Sequence, residues 1–511
     1  MDSEAATGSV QQEHKTITEA HSSIFEMTRI CVGQRSSLYV HRNDSFIDRL
    51  PYEIHSHIFE LTLESWPWSY QAGEASRTFS LVSRHWRDVA LNTPRLWSQI
   101  DSSFHNYSIQ FVDLVLTRSN PRPLDIEIGD CTCKSETGDR ESCVLSKPLT
   151  TQAHRWRTVA MINAPEVEMF TAFPAPLLEK FDYKLTRHFP RTLPANIFAG
   201  HTPRLREIHL KRVDLPLTSP IYIGLTSLHL AEFRSHSSVQ QLLAIIRSCP
   251  LLEQLVLDDV RLWGSQDEVC VTNPSFELAR LQFIDLSCKR DISRDILAAV
   301  VIPPSAHLCL QLGHHLVDEF DGFVVKNLHN LPQIRHMGII FDPPHCDITG
   351  RVSHSGSAQE LLTLFTSGDL SEVTHKIAQL LTFSSINTLI VTDITTHSEL
   401  TTYRKFLAPF MAVSILKLHP CPPILLESLA SDAAMLVCPQ LVELQITGTA
   451  LVPHPLIHMI RSRARIIPRA DSEVSLRRLT LESCTGLDPE TMLELHKYVQ
   501  VTVVDDTAHT A

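Results

Sequence analysis

Cys131 and Cys133, followed by Cys143, are spaced C-x-C-x9-C, a pattern of thiolates that invites a zinc reading. Structural zinc takes four ligands at tetrahedral geometry, and no fourth donor accompanies these three. The chain holds 27 histidines, enough to supply other metal motifs. None forms H-E-x-x-H or a two-histidine-plus-carboxylate set; His314–His315 with Glu319 does not match one. His55 and His57 stand two apart in a helical pattern, where side chains point to different faces. Nucleotide chemistry has as little support. Glycine numbers only 16, and neither G-x-G-x-x-G nor G-x-x-x-x-G-K-[ST] occurs, although a phosphate cradle needs those residues for close backbone approach. G-x-S-x-G is absent as well. The densest basic run, RSRARIIPR at Arg461–Arg469, carries no aromatic residue on which a base could stack. It reads as a solvated helix end or loop. The expectation is therefore no catalytic residue, no metal, no cofactor and no nucleic-acid partner.

The totals agree with that. Net charge is −12, from 57 acids against 45 bases, so the global field repels a phosphate backbone. Twelve cysteines in 511 residues are too sparse for a disulfide scaffold and suit free thiols in a reducing compartment. The longest strongly apolar run, Ile296–Ile302, falls far short of the ~20 residues that span a bilayer. The opening MDSEAATGSVQQEH lacks the apolar core of a secretory signal. A soluble protein of the cytoplasm, the nucleus or both is expected, with no membrane partner.

The elements that could present a binding surface begin with FIDRLPYEIHSHIFEL. Leu50, Ile54, Ile58 and Leu61 recur with a period near 3.6, which predicts a helix with one apolar stripe. Pro51 suits its first position, and Asp48 and Glu53 complement its positive end. ESWPWSYQAGEASRT reads as a connection, interrupted by Pro67 and Gly73. FSLVSRHWRDVALN then predicts a second helix, with Phe79, Val82, Trp86 and Val89 at helical spacing, and Pro94 starts a third piece ending in Leu96–Trp97. So small a block carries more large apolar residues than one narrow face can hold, so some of them are expected to cover a partner.

LPYEIHSHIFEL followed by LVSRHWRDVALNTPRLWSQI closely resembles the F-box, in the long-loop form common among mushroom-forming fungi. The resemblance covers Phe46 to Ile100 and is carried by Leu50–Pro51, Glu53–Ile54, Ile58–Phe59, Leu81–Val82, Trp86–Arg87 and Pro94–Trp97. Ser83 stands where many members have cysteine, and Thr62–Thr78 is a longer insertion. The family implies a three-helix module that docks on the Skp adaptor of a Skp–cullin–F-box ubiquitin ligase. On that resemblance Leu50, Pro51, Ile54, Ile58 and Leu81 meet the adaptor, and Trp86 and Trp97 lie nearer the module's own core.

The remaining four hundred or so residues repeat. L-x-x-L-x-L recurs with substitutions at Trp156, Leu178, Leu205, Leu225, Leu252, Leu281, Ile334, Ile386, Val413, Leu441 and Leu476, counting each copy by its first position. Most spacings are close to the 20–29 residues of leucine-rich repeats. Of the two wide gaps flanking Ile334, the first is split by a poor copy at Ser305/Leu308/Leu310. The second, covering CDITGRVSHSGSAQELL, reads as an inserted loop plus a helix. Within each copy alternate residues face opposite sides of a short strand. Cys484 and the Cys-Pro pairs at Cys249 and Cys438 resemble the cysteine-containing subtype of such repeats.

The expected fold is thus α/β, an N-terminal three-helix F-box followed by a leucine-rich-repeat solenoid, a horseshoe or arc. Its parts are a disordered segment at 1–42, the F-box at 43–103, a linker or first irregular unit at 104–150, repeats at 151–503 and a flexible tail at 504–511. Arg206, His209, Gln254, Phe283, Asp285, Gln445 and Arg478 are expected on the concave face, among the positions available to a target protein. The functional expectation is a non-catalytic substrate receptor that joins a target to a cullin–RING ligase through the adaptor. A scaffold acting outside any ligase is the alternative. A hydrolase on the α/β frame would instead require a pocket with paired titratable groups of shifted pKa.

Overall fold

The structure, a computed structural model, describes residues 46–64, 72–101, 109–129, 146–164, 167–186, 190–264, 275–311, 325–342, 344–353, 359–368, 370, 373, 385–394, 399–431, 436–464 and 475–504. The segment expected to be disordered (1–42), Cys131, Cys133 and Cys143, His314–His315 with Glu319, and the tail from 505 lie outside these. The chain is mixed α/β and divides into two compact units, Met1–Arg157 and Thr158–Ala511.

In the first unit, α1 (Tyr52–Glu64) starts directly after Pro51, whose carbonyl accepts from the N–H groups of Ile54 and His55. The single helix expected from Phe79 to Asn92 is instead two, α2 (Ala72–Val82) and α3 (Arg84–Leu91). Ser83 breaks it: its backbone is extended (φ −150°, ψ 170°), and its Oγ accepts the Trp86 N–H at 3.1 Å as an N-cap. Part of the stretch read as a connection is helical, since α2 begins at Ala72. A 3-10 turn at Pro94–Trp97 leads to β1 (Gln99–Ile100), which pairs in parallel with β2 (Leu124–Ile128) after α4 (Ile109–Arg118). α5 (Ser146–Thr150) follows. The buried Arg155 then ties this region together by donating to the carbonyls of Leu116 and Arg122 and to Ser119 Oγ.

The second unit is built on a large, mostly parallel, open sheet. Its strands are β3 (Trp156–Ile162), β4 (Lys180–Lys184), β5 (Glu207–Lys211), β6 (Ser227–Ala231), β7 (Gln254–Asp258), β8 (Phe283–Ser287) and β9 (His307–Gln311), then β10 (His336–Asp342), β11 (His345–Arg351), β12 (Glu360–Ser367), β13 (Thr388–Thr392), β14 (Ile415–His419), β15 (Glu443–Thr447), β16 (Arg478–Glu482) and β17 (Gln500–Val504). From β3 to β9 each strand pairs in parallel with the next, in register. From β13 to β17 the same holds. The leucine-type positions named above are buried in every regular copy; in the poor one Leu308 and Leu310 are buried and Ser305 is exposed. That alternation is what a strand with one face in a core dictates.

Between β9 and β13 the order reverses, which corrects the reading of CDITGRVSHSGSAQELL as a loop plus a helix. β9 pairs in parallel with β12, β12 antiparallel with β11, β11 antiparallel with β10, and β10 in parallel with β13. A three-stranded meander is therefore spliced into the ladder back to front. Gly350 lets it close: a Cβ there would lie 2.7 Å from the Ile334 side chain.

Helices of this unit are α6 (Val167–Phe170), α7 (Val239–Arg247), α8 (Arg290–Ala299), α9 (Leu400–Leu407), α10 (Pro423–Ser428), α11 (Pro453–Ala464) and α12 (Pro489–Leu495). A capping box joins Ser238 and Gln241 at the start of α7, which buries Leu242, Leu243, Ile245 and Ile246. α9 through α12 pack in succession. Cys249 Sγ donates to the Tyr222 carbonyl at 3.0 Å, and Cys438 is wholly buried. One basic residue departs from expectation. Within RSRARIIPR, Arg461 is exposed, but Arg463 is buried and donates to the carbonyls of Leu429 (2.6 Å), Cys438 (3.1 Å) and Val437. Its guanidinium ties the chain after α10 to α11, and burial pushes its pKa down to about 10. Arg465 and Arg469 lie outside the described residues.

Candidate functional site

Helix α1 carries two apolar stripes rather than one. His55, Phe59 and Leu63 face the core of the first unit. There Phe59 stacks on Phe79 (ring centroids 4.4 Å apart, planes at 9°) and Trp86 packs against it at 4.9 Å. The His55 ring meets His85, with Nδ1 3.3 Å from His85 Nε2. The other stripe, Ile54, Ile58 and Leu61, is exposed, as are Leu81 and Val82 at the end of α2. Periodicity found the outer stripe but could not say which way it faced, because both stripes are apolar.

Of the residues expected to meet an adaptor, Pro51, Ile54, Ile58 and Leu81 are exposed and Leu50 is half-buried. Of the two expected in the core, Trp97 is buried, with Nε1 donating to the Ala90 carbonyl at 2.7 Å and the Arg118 guanidinium 4.8 Å above its ring. Trp86 is half-buried against Phe59. The frame beneath the stripe is fixed by polar contacts. Tyr52 Oη donates to the Asn92 carbonyl at 2.6 Å, Ser56 and Thr93 share a 2.9 Å hydrogen bond, and Arg95 pairs with Glu60. His57 points outward, away from His55, so the two do not share a site.

On the second unit, the strand positions between the buried ones form an outer sheet face. His209 lies on β5 in a polar cluster: its Nδ1 is 3.4 Å from Asp182 Oδ2, which also accepts from Lys184 Nζ at 2.8 Å, and its ring stacks on His229 at 3.8 Å. Burial alone would raise the Asp182 carboxyl, but the hydrogen bonds from His209 and Lys184 more than offset it and hold it below the usual range. Burial, with His209 adjacent, pushes the His229 imidazole down to about 4. Gln254 and Phe283 are paired neighbours on β7 and β8, and Phe283 meets the His307 ring edge to face at 5.3 Å. Asp285 accepts from Ser287 Oγ at 2.7 Å. Gln445 and Arg478 lie beyond the meander, bound to Glu482 and Glu443 respectively.

Arg206 departs from this pattern. It sits one position before β5, and its guanidinium donates to the carbonyls of Leu205 and Gly224. The expected face residues therefore fall into two groups separated by the meander. His229, Asp258 and His307 on the regular ladder were not singled out, nor were Asp347, Ile340 and Phe365, whose neighbour relations the reversed strand order hides. Among the described residues, no group of three or more metal-ligating side chains converges, and no helix is long and apolar enough to cross a membrane.

No family model matches the chain, and no curated protein matches it.

Proposed function

We propose that this chain is the substrate-recognition subunit of a Skp–cullin–F-box ubiquitin ligase. Its first unit acts as an F-box that docks on the Skp adaptor and, through it, the cullin–RING ligase. Its second unit acts as a leucine-rich-repeat solenoid whose outer sheet face holds a target protein. One observation carries the reading: α1 seals one apolar stripe in its own core and leaves a second, Ile54, Ile58 and Leu61, facing solvent. A helix that needed only to fold would place polar residues there. The in-register parallel strands, each with buried leucine-type positions, support the repeat reading. The chemistry of transfer then belongs to partner subunits in the cytoplasm or nucleus. This chain contributes effective concentration by gripping two partners at once.

The test is a co-purification of the Skp adaptor with the intact chain and with Leu50→Ala/Pro51→Ala and Leu81→Glu. The reading expects adaptor with the intact chain and loss of it from both variants, with thermal unfolding of Leu81→Glu unchanged because that side chain is exposed. Equal adaptor recovery from all three overturns the docking assignment. Recovery of other proteins but no adaptor from the intact chain points to the scaffold alternative.

A further inference from the structure

The spliced meander places one row of outer-face side chains side by side: Gln311, Phe365, Asp347, Ile340 and Thr392. Adjacent strands lie about 4.8 Å apart, so Phe365 and Ile340 flank Asp347 directly. Both are large and open to solvent, 41% and 43% exposed. The next row along the strands reads Thr363, Thr349 and Gly338, side chains too short to rise between them. Phe365 and Ile340 thus form two apolar walls with a carboxylate between.

That carboxylate is unlike most others on the face. Asp182 is held by Lys184, Glu207 by Lys180, Glu232 by Lys211 and Arg212, and Glu443 by Arg478. Among the described residues Asp347 has no ion pair; Asp258 and Asp285, also without one, stand farther off on β7 and β8, with β9 and β12 between them and Asp347. Asp258 and Asp285 crowd each other, and burial together with that repulsion raises the Asp258 carboxyl. The middle of the face therefore combines uncompensated negative charge with exposed apolar surface.

We propose that the Phe365–Asp347–Ile340 row is the contact point for a target segment carrying a cationic side chain between apolar neighbours, arginine in preference to lysine. The inference rests on the reading that the outer face takes the target, and it names the chemistry of that target. A guanidinium offers a planar fork to the carboxylate and can stack on the Phe365 ring, while its methylene stem lies against Ile340. An ammonium supplies the charge without the plane. A phosphate or an acidic segment meets repulsion from the Asp347 carboxylate.

The experiment uses the full chain and immobilised peptides of one sequence, a Leu-Xaa-Val centre in a neutral Ser-Gly surround, with Xaa as arginine, lysine, citrulline or glutamate. Expected retention falls in that order, with citrulline, which keeps the shape and lacks the charge, about tenfold below arginine. Asp347→Asn lowers arginine binding by a similar factor, and Asp347→Lys shifts preference toward the glutamate peptide. Phe365→Ala reduces arginine retention more than lysine retention. Equal retention of the arginine and citrulline peptides by the unaltered chain overturns the proposal, as does failure to retain the arginine peptide at all. Those two outcomes need no variant to fold. Adaptor co-purification separates the two readings: adaptor lost with selection for arginine intact removes the ligase and leaves this site, and the converse removes this site alone.

Discussion

Leu61 and Leu63 stand two residues apart on α1, and the same substitution at each should have opposite consequences. Leu61 is 48% exposed and Leu63 is 6% exposed. Leu63→Ala removes core volume, with both a transfer and a cavity cost, so the first unit should lose roughly 3 kcal/mol. Leu61→Ala removes a side chain that is already half in water and leaves no cavity, so its cost should stay below about 1 kcal/mol. On the proposed docking the order inverts. A fully buried leucine is worth about 1.5–3 kcal/mol, so covering the exposed half of Leu61 contributes about 1 kcal/mol, or about fivefold in adaptor affinity. Adding Ile54→Ala, at a side chain of similar exposure, should bring the loss to roughly thirtyfold. Hydrogen exchange of the α1–α3 amides measures the stability of this unit locally, and titration with purified adaptor measures affinity. Equal destabilisation by both leucine variants would place the outer stripe in the core and refute the reasoning.

Two further predictions concern the second unit. Arg463→Met should leave the buried carbonyls of Leu429 and Val437 without a donor, while that of Cys438 keeps the Leu441 N–H, and lower stability by about 3 kcal/mol; a urea midpoint within error of the unaltered chain would show that the guanidinium is dispensable. Acid should weaken this unit while most carboxylates are still charged: burial lowers the imidazoles of His229, to about 4, and of His307 and His419. Above about pH 6.5 a histidine is neutral in both states; between about 6.5 and 4 the unfolded chain takes up protons that the folded chain refuses, so stability falls with pH. Asp258, whose carboxyl is raised, acts in the opposite sense at the acid end of that window. Urea midpoints should drop between about pH 7 and pH 5, and His229→Gln should flatten the decline; a midpoint independent of pH over that range refutes the assignment.

Much of the fold was legible because strand alternation and burial are the same fact seen twice. Wherever L-x-x-L-x-L recurred, its apolar positions entered the core, even at Leu308 and Leu310 in the poor copy. The misreadings have physical causes too. Phe79, Val82, Trp86 and Val89 keep helical spacing straight through Ser83, so periodicity ran over a break that only the N-cap chemistry of serine marks. Leu361, Leu362 and Leu364 suggest a helix turn, yet they lie on β12, where Leu362 and Leu364 pair with Leu308 and Leu310. Arg463 was read with its charged neighbours, and nothing local tells a guanidinium that caps three carbonyls from one that is solvated.

The meander shows where a repeat pattern stops being sufficient. A period fixes which residues of a strand face inward, and it did so for β10 as for β13. It fixes lateral order only if each strand pairs with the next in sequence, and β9 pairs with β12 instead. Every outer-face neighbour relation between Gln311 and Thr392 therefore depends on a reversal that alternation cannot encode. Asp347 illustrates the consequence: in sequence it is one acid in a CDITG run that reads as a loop, and only the antiparallel pairings set it between Phe365 and Ile340. The irregular strands set a carboxylate without an ion pair between two exposed apolar side chains; on the regular strands β4 and β5 the carboxylates are ion-paired, and Asp258 and Asp285 on β7 and β8 are not. If recognition on this face is selective, the selectivity resides in the splice, and restoring a regular ladder order there would remove it while keeping the core.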